Sequence, residues 1–457
     1  MTPLSEKRLL RTLQALVAFR FLVLFFRSFL PLTLPEIWRQ EDTLGVSLRY
    51  WLRWTHEGDF SWLPAILNSG DGRGIMPMEF PFLTILAAPS FAFGPFVGFT
   101  LAQLLLFSVL LLLLAFNFRT WQSATLCGVP GSLVVGMLPI FSFGAVWGGK
   151  FMPDFLATLF VVLAVGLSWE NPRPGRSFFW AALGILIKPT ACVVLVLWLL
   201  SRTDVKRFRL FCSWSIPALL VGVFYYTAGI RFISRYQTAE SRFAVSPKPI
   251  GQSLMEFATS THQNELFTKH LFFPYALFIL GLGFVVLAAS RKRLPLKLLA
   301  VVTIQLLGVA ALSGEQGLTH VYYFMGLTPA LAVLYLFIYR GYSRTWFRFL
   351  LLLALSIHLL DRCNMELHTL YSPAATGSPP RAQCEILRSA HPEFPWGKGV
   401  VFRSPDGAYP ELGLCFGERE NSKISPYGFW WKKFAIPTDC RIVDETAEIN
   451  LVRCGKL

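Results

Sequence analysis

Three carboxylates stand where helices begin. Asp42 lies in Trp38-Arg39-Gln40-Glu41-Asp42-Thr43, Asp154 in Met152-Pro153-Asp154, and Glu79 in Glu79-Phe80-Pro81. A carboxylate within hydrogen-bond reach of a hydroxyl takes its proton as the oxygen attacks an electrophile, which is general-base chemistry. Each position also suits an ordinary role: the acids at 41–42 and Asp154 as caps of exposed N–H groups at the positive end of a helix dipole, and Glu79 as a solvated loop residue. Glu41 and Asp42 are adjacent on a helical stretch, so their side chains point about 100° apart and one of them at most faces a given site.

A second set of residues is cationic. Lys150, Lys188, Arg231 and Arg235, with Arg242, Lys248 and Lys269, are of the type that neutralises a phosphate, arginine offering a bidentate contact. Solvation or lipid headgroups account for such charges one at a time. Lys188 is set apart because it interrupts the apolar run Gly184-Ile185-Leu186-Ile187-Lys188-Pro189-Thr190, where snorkelling is the alternative. His320-Val321-Tyr322-Tyr323 adds groups able to orient a polar substrate, beside the alternative of interfacial anchoring.

The elements that must position these residues are membrane helices. Of 457 residues 54% are hydrophobic and 15% charged, and the apolar residues form repeated runs of roughly 17–24, enough to cross a hydrocarbon core. The net charge of +15 is distributed in short clusters between those runs. It reads as a topology signal, with no basic domain to hold nucleic acid. No Gly-rich nucleotide loop or Walker motif is found. The positive-inside rule places the clusters at Lys7/Arg8/Arg11, Arg119, Arg173/Arg176, Arg202–Arg209, Arg291–Lys297 and Arg340–Arg348 in the cytoplasm. Residues 31–79, 142–153, 229–271, 313–320 and those after about 364 then face outward. Spans are expected at 9–30, 98–116, 123–141, 152–168, as a tight pair within 177–201, and at 209–228, 272–290, 296–313, 321–339 and 347–363, about eleven crossings with the N-terminus inside. The first run carries Arg20 and Arg27 and lacks a small-residue cleavage site, so it is expected to stay as a helix.

Two places break this pattern. Residues 80–96 hold Pro81, Pro89, Gly94 and Pro95 and are expected as a re-entrant or outer-leaflet helix, and 177–201 is broken at Lys188-Pro189. Glu41-Asp42 opens a stretch with Leu44, Leu48, Trp51 and Leu52 at helical spacing, an amphipathic interfacial helix.

Residues 364–457 are more polar, with strand-like runs at Gly399–Phe402 and Cys440–Val443, and are expected as a small α+β domain outside the membrane. Of the eight cysteines, Cys363, Cys384, Cys415, Cys440 and Cys454 fall at or beyond the last expected span. Four of these suffice for two disulfides in an oxidising compartment, with zinc the rival reading.

The motifs Trp38-Arg39-Gln40-x-Asp42-Thr43, Phe80-Pro81, Met152-Pro153-Asp154, Lys188-Pro189-Thr190 and His320-x-Tyr322-Tyr323 before Pro329 occur in the order seen in the C-type (GT-C) integral-membrane glycosyltransferases. The chain resembles their bacterial branch, related to protein O-mannosyltransferases and the lipid A aminoarabinose transferase, over residues 9–363. The resemblance implies a GT-C-like membrane domain over 1–363, with outer loops 31–79 and 229–271. It implies transfer of a sugar from a polyprenyl-phosphate donor to a lipid, glycan or protein acceptor at the outer face of the bacterial inner membrane. It places Asp42 at the catalytic centre as general base, with Glu41 at a variable position and Asp154 as a second acid. Lys188, Arg231, Arg235 and Lys150 then hold the donor phosphate, and Arg39, Glu79, His320, Tyr322 and Tyr323 contact substrate. A divalent cation is compatible with these residues and is not required by them. The C-terminal domain with its cysteines departs from the best-known members. The alternative is a flippase or transporter of polyprenyl-linked sugars, which would place charges near the middle of several spans and show paired repeats. The acids here gather at one face.

Overall fold

The computed structural model describes residues 3–27, 37–58, 66–69, 74–77, 80–126, 129–140, 153–169, 174–192, 250–260, 325–341, 345–371, 386–387, 389–391, 400–403, 427–432, 440–446 and 449–454, with scattered single positions between. The chain divides into two compact units. One comprises Met1–Phe25, Phe107–Val221 and Pro247–Leu367, the other Phe26–Leu106, Gly222–Ser246 and His368–Leu457.

In the first unit the described apolar runs fold as helices. Helix α1 (Pro3–Arg27) packs through Phe21, Leu24 and Phe25 on Phe107 of α4 (Pro95–Thr120). Among the described residues α4 is long and apolar enough to cross a membrane, its 26 residues spanning about 39 Å. Leu112 and Phe116 of α4 point outward, more than half exposed. Phe19, Leu22 and Phe26 of α1 do the same, as side chains facing lipid should. After α4 a two-residue hairpin, β3 (Thr125–Leu126) with β4 (Val129–Pro130), leads into α5 (Gly131–Met137). Trp121 fills the space between Gly131 and Gly166, where an added Cβ would fall 2.3 Å and 2.6 Å from its ring. It donates Nε1–H to the Val162 carbonyl at 3.1 Å.

Arg20 is the charged group buried in α1, 1% exposed. Its Nη1 lies 3.4 Å from both the Pro139 and Ile140 carbonyls, just past the end of α5. Carbonyls beyond a helix end lack intrahelical donors, and a cation there also opposes the negative end of the dipole.

Helix α6 (Pro153–Leu167) is buried on every side from Pro153 to Gly166, as a helix apolar all round must be. It forms an antiparallel hairpin with α7 (Pro174–Ile187), which ends at Lys188 and gives way to a 3₁₀ turn over Pro189–Cys192. Proline has no N–H to continue the ladder, so the break expected at Lys188-Pro189 is where the helix stops. The α-helix α8 (Ile250–Thr259) precedes α9 (Thr328–Gly341) and α10 (Thr345–Tyr371). The last helix runs two turns past the expected span end at 363, exposing Leu350, Leu353, Ile357 and Leu360 along one stripe. Tyr335 of α9 donates its hydroxyl to the Leu351 carbonyl of α10.

In the second unit, α2 (Ile37–Leu52) and a π-helical turn (Arg53–Glu57) pack on α3 (Phe82–Ala87) and the 3₁₀ helix Ala88–Phe93. Val46, Tyr50 and Ala88 form the core of this contact, joined by Trp51, Trp54, Phe80 and Ile85. Gly94, at φ 89°, turns the chain into α4. The stretch expected as a re-entrant or outer-leaflet helix over 80–96 is helical from Phe82 to Phe93. Strands β1 (Ile66–Ser69) and β2 (Gly74–Pro77) form an antiparallel pair.

Beyond α10 lies a four-stranded sheet of β5 (Val400–Arg403), β6 (Tyr427–Trp431), β7 (Cys440–Glu445) and β8 (Ile449–Cys454), in the order β5-β6-β8-β7. β5 runs parallel to β6 and the other pairings are antiparallel. Cys440 stands opposite Cys454 in register. Cys363 is a buried free thiol in α10, so it leaves the set of cysteines expected to pair. It falls, buried, inside a helix that continues past it. Cys384 and Cys415 lie outside the described residues.

A bulge between Ile442 and Asp444 re-aims the edge strand. Asp444 Oδ2 lies 2.8 Å from His391 Nε2, and Oδ1 accepts the Glu445 N–H at 2.8 Å. The His391 contact, then the Glu445 N–H, hold the Asp444 carboxyl below the usual carboxylate range. A carboxylate with a depressed folded pKa contributes stability that is complete above its unfolded value of about 4 and is lost as pH falls through the lower folded value. Hydrogen exchange at 386–391 and 440–446 should therefore accelerate below about pH 4 in the native chain. Asp444→Asn should remove that acid dependence, and an unchanged profile would contradict the assignment.

Candidate active site

The site is built where α6 begins and α7 ends. Pro153 opens α6 with a φ that suits the first helical position, and Asp154 follows in the first turn at the positive end of the dipole. Lys188 stands past the last turn of α7, at the negative end. Its N–H bonds to the Gly184 carbonyl at 3.0 Å, and its own carbonyl accepts from Ala191 N at 3.0 Å. The antiparallel hairpin brings these two ends together. Lys188 Nζ lies 3.1 Å from Asp154 Oδ1, with the two side chains 8% and 0% exposed.

Three contacts fix that register. Gly184 lies against α6 so closely that a Cβ would fall 2.6 Å from the Ala157 carbonyl and 2.7 Å from Val161 Cγ2. One turn further down, Phe160 stacks on Trp180 at 5.2 Å between centroids. On its other side α6 receives the Asn117 amide, which donates to the Leu159 carbonyl at 3.1 Å. Thr158 returns its hydroxyl to the Asp154 carbonyl at 3.1 Å, closing the first turn.

Neither Asp154 oxygen receives a well-directed hydrogen bond among the described residues, so the contact with Lys188 is an ion pair and Oδ2 keeps its acceptor capacity. Two charges withdrawn from water are retained at a sizeable desolvation cost, offset when they face each other and opposite helix dipoles. A buried carboxylate with a spare lone pair can accept a hydrogen bond from a hydroxyl of a polar ligand.

Of the other residues expected at a site, Asp42, Glu41 and Arg39 lie on α2, which forms over 37–52 as the amphipathic spacing required. Their side chains are outside the description. Thr43 and Ser47 of the same helix are buried, Ser47 donating to the Thr43 carbonyl at 3.3 Å. Arg53 sits over the Tyr50 ring at 6.0 Å. Burial pushes the Tyr50 phenol well above its usual range and Arg53 draws it part of the way back. Glu79, Lys150, Arg231, Arg235, His320, Tyr322 and Tyr323 lie outside the described residues. Lys188, expected to meet a donor phosphate, has Asp154 as its neighbour. Among the described residues no cluster of three metal-ligating side chains occurs.

Sequence reasoning passed over Gly184 and the Phe160–Trp180 stack. A glycine inside an apolar helical run was the available signal, because it marks close backbone approach.

No family model matches the chain, and no curated protein matches its sequence. Its structure superposes on the crystal structure of ArnT from Cupriavidus metallidurans bound to undecaprenyl phosphate, with a TM-score of 0.58 over 96% of this chain and 97% of that one, at 11% identity. The fold is a C-type glycosyltransferase fold. The C-type fold is that of a polytopic membrane protein, which accounts for the outward apolar stripes on α1, α4 and α10.

Gly184→Ala should force α6 and α7 apart and lower stability by about 1–3 kcal/mol, the usual effect of overpacking. Lys188→Met should lower it further, by about 3–5 kcal/mol, because it strands a buried carboxylate. Thermal unfolding of the purified protein in detergent measures both, and wild-type melting in either variant would contradict the packing described.

Proposed function

We propose that the chain transfers a sugar from a polyprenyl-phosphate-linked donor to a lipid, glycan or protein acceptor at the outer face of a bacterial inner membrane. The observation that carries this reading is the buried Asp154–Lys188 pair at two coinciding helix ends. It sits within a fold shared with a protein crystallised with undecaprenyl phosphate. A transporter reading has no such support, because among the described residues this charge pair lies at helix ends.

In the proposed reaction an acceptor hydroxyl attacks the anomeric carbon of the donor. A new C–O bond forms, the bond to the phosphate oxygen breaks with its electron pair leaving on the lipid phosphate, and the hydroxyl proton passes to a carboxylate. Asp42 is assigned that base role. Asp154, paired with Lys188, accepts a hydrogen bond from a hydroxyl of the bound sugar or acceptor through its open oxygen. Lys188 therefore acts first on Asp154, and the leaving phosphate is met by Arg231, Arg235 and Lys150. Fixed cations at a developing charge need no reorganisation as the reaction proceeds. Arg39, Glu79, His320, Tyr322 and Tyr323 are assigned to substrate contacts.

Residues 364–457 are proposed to form an extracytoplasmic domain that selects the acceptor. The cross-strand register of Cys440 and Cys454 supports a disulfide there, since directly opposed residues of an antiparallel pair have the Cα spacing a disulfide needs.

Asp42→Asn should lower transfer by about 10²–10⁴-fold, the usual contribution of a general base, while leaving donor binding intact. Glu41→Gln should have a much smaller effect. The assay is purified protein in detergent with radiolabelled polyprenyl-phosphate sugar and membrane acceptor, a format in which an enzyme turns over and a transporter shows nothing. Equal, small effects of the two substitutions would remove Asp42 from the base role.

A further inference from the structure

Helix α3 and the 3₁₀ helix Ala88–Phe93 have one packed side and one open side. Leu83, Thr84, Ala87, Ala88 and Phe91 are buried, Ala88 against Val46 and Tyr50 of α2. The exposed residues of the two helices are Leu86, Pro89, Ala92 and Phe93, all apolar, with Leu86 41% and Phe93 69% exposed. Leu86, Pro89 and Ala92 follow at three-residue steps as the chain tightens to 3₁₀ geometry, which keeps them close to one line. The polar residues lie elsewhere. Thr84 is buried and donates its hydroxyl to the Pro81 carbonyl at 3.0 Å, and Ser90 is half-buried.

The 3₁₀ helix is clamped to the start of α4. A Cβ on Gly98 would fall 2.7 Å from Phe91 Cδ1 and 2.9 Å from Phe91 Cα, and the Phe91 ring meets Phe99 edge to face at 6.0 Å between centroids. Gly94 makes the turn between the two helices, and its carbonyl accepts the Gly98 N–H at 2.8 Å. The part of α4 long and apolar enough to cross a membrane begins at Val97, itself 50% exposed. The open side of the 3₁₀ helix is thus fixed at the level where that span begins.

We propose that α3 and the 3₁₀ helix form a membrane-contact segment, with Leu86, Pro89, Ala92 and Phe93 seated in the boundary between lipid headgroups and acyl chains. Three observations select the bilayer as the occupant. The fold is that of a polytopic membrane protein, so a bilayer lies against this chain. The open side continues past Gly94 in Val97, and no charged residue occurs between Glu79 and Arg119, so no side chain of this stretch requires water for a charge. The two helices are together about 20 Å long, short of the roughly 30 Å of a hydrocarbon core, so the segment rests in the bilayer without crossing it. Contiguous exposed apolar surface marks a contact with membrane or partner, and a short helix with one apolar side partitions to the lipid boundary. This inference does not depend on the transfer reaction, and its test reads lipid contact alone.

The test uses the full chain reconstituted in vesicles of phosphatidylcholine and phosphatidylglycerol, with a trace of phosphatidylcholine carrying a photoactivatable diazirine either near the top of one acyl chain or at its end. Adducts are mapped by mass spectrometry after chymotryptic digestion. Residues 86–93 should be labelled several-fold more by the shallow probe than by the deep one, while Leu112, which faces outward on α4, is labelled by the deep probe. The double variant Leu86→Ser/Phe93→Ser should lose most of the labelling over 86–93 and keep it at Leu112. Wild-type protein labelled at Leu112 but not at 86–93 overturns the proposal, and labelling of 86–93 chiefly by the deep probe overturns the placement at the boundary. Cross-linking of 86–93 to a second copy of the chain also overturns it, giving this side to a self-interface. The wild-type result decides the matter even if the double variant does not fold.

Discussion

The fold of the membrane unit turns on one electrostatic constraint, the burial of Asp154 and Lys188 against each other. Neither charge is tolerable alone at that depth, and each is placed at the helix end whose dipole favours it. The pair therefore specifies the hairpin of α6 and α7 in both direction and register. An antiparallel arrangement puts the start of one helix beside the end of the other, and a shift of one turn would separate the charges by about 5 Å. Gly184 and the Phe160–Trp180 stack are the packing counterpart of the same register. Buried ion pairs are weak stabilisers when compared with apolar side chains of the same shape, yet strong selectors against arrangements that would part them.

Helix ends recur as the places where this protein puts charge. Arg20 meets the carbonyls that follow α5, and Lys188 stands just past the last turn of α7. Asp154 begins α6. In a membrane such ends are exposed to strong desolvation, because no water is at hand to satisfy the last carbonyls. A cation placed there answers two needs together, supplying donors and opposing the dipole. α2 belongs to a different regime, its aromatic anchor Tyr50 packed with Val46 and Ala88.

Much of this architecture is legible from residue types with local consequences. Pro189 after Lys188 stops a helix wherever it occurs, and Pro81, Pro89, Gly94 and Pro95 break the stretch before α4 for the same reason. The spacing of Leu44, Leu48 and Trp51 foretold α2, and the runs at 399–402 and 440–443 foretold β5 and β7. Asp154 and Lys188 were each singled out, one for its place beside Pro153 and the other for its apolar surroundings. That they meet was not legible, because a contact between positions 34 apart depends on the tilt and register of two packed helices. The same limit hid the partners of Arg20 at Pro139 and Ile140. It hid β6 and β8 too, whose pairing with β5 and β7 follows a non-sequential order. The extension of α10 to Tyr371 escaped for another reason. Polar residues such as Asp361 and Asn364 end an apolar run without ending a helix.

The account stands or falls on whether Asp154 and Lys188 act as one unit. A double-mutant cycle of Asp154→Asn and Lys188→Met, read by unfolding free energy in detergent, measures this directly. The account predicts that the double variant is more stable than the sum of the single losses requires, with a coupling of about 0.5–3 kcal/mol, because removing both charges abolishes the stranded one. Strictly additive losses would contradict it, and would mean that the two residues, though 3.1 Å apart, do not hold each other in place.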